Sequence, residues 1–241
     1  MSSKADTVVF IPALNEEESL PAVLDELQRE LPAADVLVVD DGSTDDTAAL
    51  GREHGAEVLS FPENRGLPIA VAAGYEYAAR KHYAYCGRVD ADGQHPVAEL
   101  RRLLELVREG VCDVAVGSRF VSGDGYEPYR YKPSPARRFG TAVLRRALAV
   151  RLGRRFGDAT SGMYAANAKA LPLLARPYTT GAPEVQGLLR LAEAGLVVEE
   201  VPVNMRERAR GESRITGKKA LTLVLTVAGT ILLYRRMKGR S

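Results

Sequence analysis

Between residues 7 and 118, short apolar runs alternate with longer stretches in which apolar side chains return every three or four positions. The runs Val8 to Ile11, Val36 to Asp40, Glu57 to Ser60, Ala84 to Asp90 and Asp113 to Ser118 have strand length, and several are rich in β-branched residues. Between them, Leu20 to Leu31 reads as a helix with Ser19 as its N-cap and Pro21 in its first turn. Pro96 to Glu109 reads as another, because Leu100, Leu103, Leu104 and Val107 share one face. Strands alternating with helices predict an α/β fold, a mainly parallel sheet covered by helices on both faces.

After Arg119 the pattern changes. Val121 to Pro135 is rich in Gly, Pro and Tyr and is expected to form a mobile substrate lid. Pro128 to Gly157 carries nine Lys/Arg and no acid, and Phe139, Val143, Leu144, Ala147 and Leu148 make an imperfect apolar stripe, as in a basic helix resting on a surface. Ala220 to Tyr234 is an uncharged 15-residue stretch between Lys218-Lys219 and Arg235-Arg236. As a helix it would be roughly 22 Å long, short of the roughly 30 Å hydrocarbon core of a bilayer. Thr222, Thr226 and Thr230 give it a weakly polar stripe. Two readings stay open: a helix lying on a membrane with its flanking bases towards anionic headgroups, or an ordinary buried helix.

A chain of 241 residues with 46% hydrophobic and 27% charged content builds one sizeable core, which excludes a disordered or disulfide-stapled protein. Cys86 and Cys112 make no CxxC pair and read as reduced, buried thiols. The net charge of +2 conceals a polarity: the first 100 residues hold 19 acids against 7 bases, the remainder 12 against 26. An acidic half able to hold a cation thus precedes a basic half able to hold phosphates. The N-terminus, with only Val8 to Ile11 as an apolar run before acids begin, lacks a secretory h-region, so a cytoplasmic location is expected.

Ligands of open α/β sheets bind beyond the carboxyl ends of strands. Polar residues gather there: Pro12-Ala13-Leu14-Asn15-Glu16-Glu17 after the first strand, Asp40-Asp41-Gly42-Ser43 after the second, Asp90-Ala91-Asp92 after the fourth and Gly117-Ser118-Arg119 after the fifth. In Asp90-Ala91-Asp92-Gly93-Gln94-His95, two carboxylates flanking a small residue can turn hard oxygens towards one Mg2+ or Mn2+, with Gln94 adding a neutral oxygen. Such a cation bridges the phosphates of a nucleotide diphosphate. The same spacing also occurs as a turn with solvated acids. Asp40 or Asp41 can accept hydrogen bonds from a base or a ribose hydroxyl, while Ser43 or Thr44 can cap the helix that follows. His54 and His82 read as exposed residues at helix ends, and His95 either caps the next helix or reaches ligand phosphate.

The segments PALNEEESL, VVDDGSTDDT, NRGLPIAVAAGYEYA, DADGQHP, VGSRF, DATSGMYAANAKAL and EEVPVNMRERARGESR stand in the order found in family 2 glycosyltransferases of the GT-A fold. From Val8 to about Arg214 the chain resembles the subgroup that contains dolichol-phosphate mannose synthase and bacterial polyprenyl-phosphate glycosyltransferases. The resemblance implies a single Rossmann-like GT-A domain over residues 1–214. Residues 1–118 would be its nucleotide-sugar half, 119–214 its acceptor half, and 215–241 an apolar helix with a basic tail. It implies that Pro12, Ala13, Asn15, Glu16, Glu17, Asp40, Asp41 and Ala91 line the nucleotide pocket, and that Asp90, Asp92 and Gln94 form the metal set. Arg119, Arg208 and Arg214 would contact diphosphate or acceptor phosphate, a task suited to the planar guanidinium fork. Ser134, Asp158, Glu184 and Ser213 are further acceptor or diphosphate candidates. Glu184 would be the base if a hydroxyl were the acceptor, although Gln186 stands where relatives place a second acid.

The implied reaction moves a sugar from a nucleotide diphosphate, of GDP-mannose or UDP-glucose type, to a polyprenyl monophosphate with inversion. A lipid phosphate is already ionised at pH 7 and needs no general base. The implied partners are donor, lipid acceptor, the inner membrane surface and a separate membrane subunit, without nucleic acid. The alternatives are transfer to a saccharide or small-molecule hydroxyl and a non-catalytic nucleotide-sugar-binding subunit.

Overall fold

The computed structural model describes residues 5–123, 126, 149, 156–158, 161–179 and 181–206. Its strands are β1 (Thr7–Ala13), β2 (Asp35–Asp40), β3 (Glu57–Ser60), β4 (Tyr85–Arg88), β5 (Val114–Ser118), β6 (Tyr164–Asn167) and β7 (Val198–Pro202). The helices are α1 (Leu20–Glu30), α2 (Thr47–Glu53), α3 (Leu67–Arg80), α4 (Val97–Arg108), α5 (Leu171–Leu174) and α6 (Pro183–Glu193). The strands form one sheet in the order β3-β2-β1-β4-β6-β5-β7, parallel except that β6 runs antiparallel to both β4 and β5. Chain order reverses between β1 and β4, the point beyond whose carboxyl ends open α/β sheets bind their ligands.

Alternation along β1 feeds two cores. Val8 and Phe10 join Leu37, Val39, Val71, Tyr75 and Leu188 on the face covered by α3, α5 and α6. Val9 and Ile11 join Leu20, Leu24, Val38, Leu100 and Leu104 on the face covered by α1 and α4. All seven residues of β1 are buried, which is why it reads as a continuous apolar run.

The expected strands and helices form, with local corrections. β4 stops at Arg88, two residues before Asp90, because the Asp90 N–H turns away to donate to His95 Nδ1 at 3.0 Å. Ser19 does not cap α1: its hydroxyl donates to the Glu16 carboxylate at 2.8 Å. Neither Ser43 nor Thr44 caps α2, whose N-cap position is Asp46. Both turn instead to the loop after β1. β6 and β7 carried no clear strand signal, since YAAN is short and alanine-rich and VEEVP holds two half-buried acids. Among the described residues no helix is long and apolar enough to cross a membrane. The stretch 220–234, most of the expected lid and nearly all of the basic stretch 128–157 lie outside the described residues.

Gly74 of α3 lies flat against Phe10, whose ring meets Tyr75 edge-on at 4.8 Å and 77°. A Cβ there would fall 2.6 Å from ring carbons of Phe10. Gly74→Ala is therefore expected to lower stability by about 1–3 kcal/mol, outweighing the roughly 1 kcal/mol helix-propensity gain of alanine. Urea unfolding checks this as a lower midpoint at unchanged slope; an unchanged or higher midpoint would refute the packing argument.

Candidate active site

The loops after β1 and β2 are zipped together by polar groups that the sequence offers to a nucleotide. Asn15, in the left-handed region at φ 52°, donates its N–H to Ser43 Oγ at 2.9 Å and accepts the Thr44 N–H at 2.8 Å. The Glu16 N–H reaches Thr47 Oγ1 at 2.8 Å, the Glu17 N–H reaches Asp45 Oδ2 at 3.2 Å, and Glu17 Oε2 accepts the Asp46 N–H at 3.0 Å. Pro12 and Ala13 end β1 opposite Val39 and Asp40. Asp40 and Asp41 are each 4% exposed. Asp40 accepts the Ser43 N–H at 2.9 Å, and Asp41 accepts the N–H groups of Arg65 and Gly66 at 2.8 and 2.9 Å. Asp41 thereby clamps the chain entering α3 against Gly42, whose φ of +75° suits glycine and whose added Cβ would lie 2.6 Å from Asn64 N. Carboxylate lone pairs remain beyond these two bonds.

Asp90 and Asp92 follow β4 with Ala91 between them. The Asp90 side chain is 37% exposed, whereas Ala91 and Asp92 are buried. Asp92 Oδ1 accepts the Gln94 N–H at 3.1 Å, turning the loop tightly on itself. His95, buried, takes the Asp90 N–H on Nδ1, so its own proton sits on Nε2 and it braces the loop rather than capping α4. Gly162 forms the opposite wall: a Cβ there would lie 2.7 Å from Asp90 Oδ1. The chain leaving β7 is tied to the same loop, with the Arg206 N–H donating to Gln94 O at 3.0 Å and the Arg206 guanidinium held by Glu26 at 2.6 and 2.9 Å. Among the described residues no group of three or more His, Cys, Asp or Glu is arranged to hold a metal. Two carboxylates at one strand end, one of them open over a glycine, still fit a Mg2+ that takes its other ligands from water and substrate phosphates.

In the second half of the chain the described candidate groups are paired. Arg119 meets Asp158 through Nε at 2.7 Å and Nη2 at 2.9 Å, and Asp158 is 1% exposed. Glu200 fixes this turn by accepting the Gly157 and Asp158 N–H groups at 2.7 and 2.6 Å. Asp158 thus orients Arg119, whose side chain remains 32% exposed. Glu184, in the first turn of α6, lies 3.0 Å from Arg88 Nη1. Burial pushes the Glu184 carboxyl upward against the pull of Arg88, and Arg88, though burial opposes its charge, is held protonated by Glu184 and Asp90. Arg88 was not foreseen, although an arginine inside the apolar run ending in Val89-Asp90 was a usable signal. Ser134, Arg208, Ser213 and Arg214 lie outside the described residues.

Asp41→Ala is expected to strand two backbone N–H groups and lower stability by about 1–3 kcal/mol, with Asp41→Asn, which keeps one acceptor oxygen, losing less. Urea unfolding with amide exchange at Arg65 and Gly66 checks this; unchanged protection at both amides would refute the clamp.

Residues 8–171 match the profile of glycosyl transferase family 2. The chain is 31% identical over 231 residues to a polyprenol monophosphomannose synthase of Mycolicibacterium smegmatis, covering 92% of this chain and 85% of that one. It is 34% identical over 218 residues to an undecaprenyl-phosphate mannosyltransferase of Micrococcus luteus, covering 87% of each. Among solved structures, glucosyl-3-phosphoglycerate synthase from Mycobacterium tuberculosis, crystallised with Mn2+, UDP and glucosyl-3-phosphoglycerate, superposes with a TM-score of 0.66 at 23% identity. That match covers 95% of this chain and 79% of the other, and it shares the GT-A-like sheet. Crossover, acidic loop and profile agree, and the chain belongs to glycosyl transferase family 2.

Proposed function

We propose that this glycosyltransferase moves a sugar from a nucleotide diphosphate to a polyprenyl monophosphate, inverting the anomeric carbon. The observation that carries this reading is the pairing of both candidate acids of the acceptor half: Glu184 is buried against Arg88 and Asp158 against Arg119. A hydroxyl acceptor needs a base whose oxygen faces it, and a carboxylate engaged by a neighbouring guanidinium is poorly placed for that, even where burial raises its pKa. A phosphate monoester brings its own negative oxygen. The names of the relatives from Mycolicibacterium smegmatis and Micrococcus luteus, both polyprenyl-phosphate mannosyl enzymes, support the same acceptor.

In this reading a phosphate oxygen of the acceptor attacks the anomeric carbon while its bond to the diphosphate oxygen breaks, and the nucleoside diphosphate leaves. Asp90 and Asp92, with Gln94 beside them, would hold Mg2+ or Mn2+, which supplies positive charge to the departing diphosphate. The chain's own work is alignment and screening of two anions. The zipped loops carrying Asn15, Asp40 and Asp41 bound the base and ribose end. Arg119, oriented by Asp158, faces the phosphates, and Arg208 and Arg214 are assigned the acceptor phosphate. The donor is of GDP-mannose or UDP-glucose type. A lipid acceptor places the enzyme peripherally on the inner membrane face, with residues 220–234 and their flanking bases as the contact or as the seat of a membrane subunit.

Transfer assays with labelled GDP- and UDP-sugars, Mg2+ or Mn2+, and polyprenyl phosphate against polyprenol test the reading. Product is expected on the phosphate alone, lost with EDTA and reduced at least about a hundredfold by Asp92→Asn. Transfer to polyprenol or a saccharide hydroxyl, or donor binding without transfer, would overturn it.

A further inference from the structure

Arg88 is a cation in an expensive place. It sits at the end of β4, 2% exposed, where the alternation of the strand turns Val89 and Ala91 to the α1/α4 core. Its two terminal nitrogens reach two different carboxylates. Nη1 lies 3.0 Å from Glu184 on α6, and Nη2 lies 3.4 Å from Asp90 Oδ1. Arg88 Nε and the Tyr164 hydroxyl are buried and have no hydrogen-bond partner among the described residues. Both residues line one small cavity with Tyr75, Tyr178 and Glu184. A pair serving stability alone would be matched by well-packed apolar residues, without orphaned donors. What this pair does instead is join α6 to the Asp90 carboxylate. Asp90 has Gly162 against its oxygens on another side, so its carboxylate stands between a glycine backbone and a guanidinium.

We infer that Arg88 is a positioning residue for Asp90: anchored by Glu184, its guanidinium sets the orientation of the carboxylate that receives the divalent cation and the donor diphosphate. This rests on the metal reading of Asp90 and Asp92 given above. A lysine at this position keeps the charge but cannot bridge two carboxylates with a planar fork. Removing both charges together avoids an unpaired buried ion and spares the fold.

The test compares wild type, Arg88→Lys, the double variant Arg88→Met/Glu184→Leu, and Asp92→Asn. Binding of Mn2+ alone is followed by electron paramagnetic resonance, folding by thermal unfolding. Both Arg88 variants are expected to stay folded and to bind Mn2+ about 10- to 100-fold more weakly, the loss typical when the partner orienting a metal ligand is removed. In transfer assays Arg88→Lys is expected to lower kcat with little change in the KM of the acceptor. If Asp92→Asn loses Mn2+ while the folded Arg88 variants bind it as wild type does, the positioning role is refuted and the metal reading stands. If Asp92→Asn also binds as wild type does, the metal reading falls and the inference with it. Should the double variant unfold, wild-type Mn2+ affinity in folded Arg88→Lys is sufficient to overturn it.

Discussion

Everything at the site depends on β1 being buried on both faces. A strand with Val8 and Phe10 packed one way and Val9 and Ile11 the other has no polar face to offer. Chemistry is therefore displaced to the carboxyl edge, where the chain leaves the ladder and its polar groups meet water. The reversal of strand order between β1 and β4 puts the Asn15 loop and the Asp90 loop at the carboxyl ends of neighbouring parallel strands. The antiparallel β6 then supplies a further wall, since the turn leading into it carries Gly162 against Asp90.

The second organising feature is how few of the site's charges are left to water. Asp41 is spent on two amides, Asp158 on a guanidinium, Glu26 on Arg206 and Glu184 on Arg88. Asp90, with more than a third of its side chain exposed, stands out against them. In the proposed reaction, which brings two anions together, each acid paired with a guanidinium adds less repulsion than a bare one would.

Much of this was legible in the sequence, and the reasons are local. The short apolar runs of β1 and β2, the leucine face of α4 and the polar groups at four strand ends each report on a few neighbouring residues. What was not legible is non-local. Ser43 and Thr44 look like helix caps, yet the Ser43 hydroxyl and the Thr44 amide bond to Asn15 of the facing loop, and only the docking of loops decides that. Arg88 and Glu184 meet because β4 and α6 lie on the same side of the sheet, a pairing no spacing announces. Glu184, a base candidate only for a hydroxyl acceptor, stands 3.0 Å from the Arg88 guanidinium, a neighbour that its sequence position does not reveal. β6 was hidden because two alanines between Tyr164 and Asn167 carry no strand preference, and pairing to strands on both sides holds them extended.

The reciprocal bonding of the loops after β1 and β2 has a consequence for redesign. Asn15 both gives to Ser43 and takes from Thr44, and Glu17 both gives to Asp45 and takes from Asp46, so neither loop keeps its shape without the other. Substitutions across the seam will be non-additive, and a single loop grafted from a relative will arrive without its mate. The exchangeable module at this sheet edge is the pair of loops together.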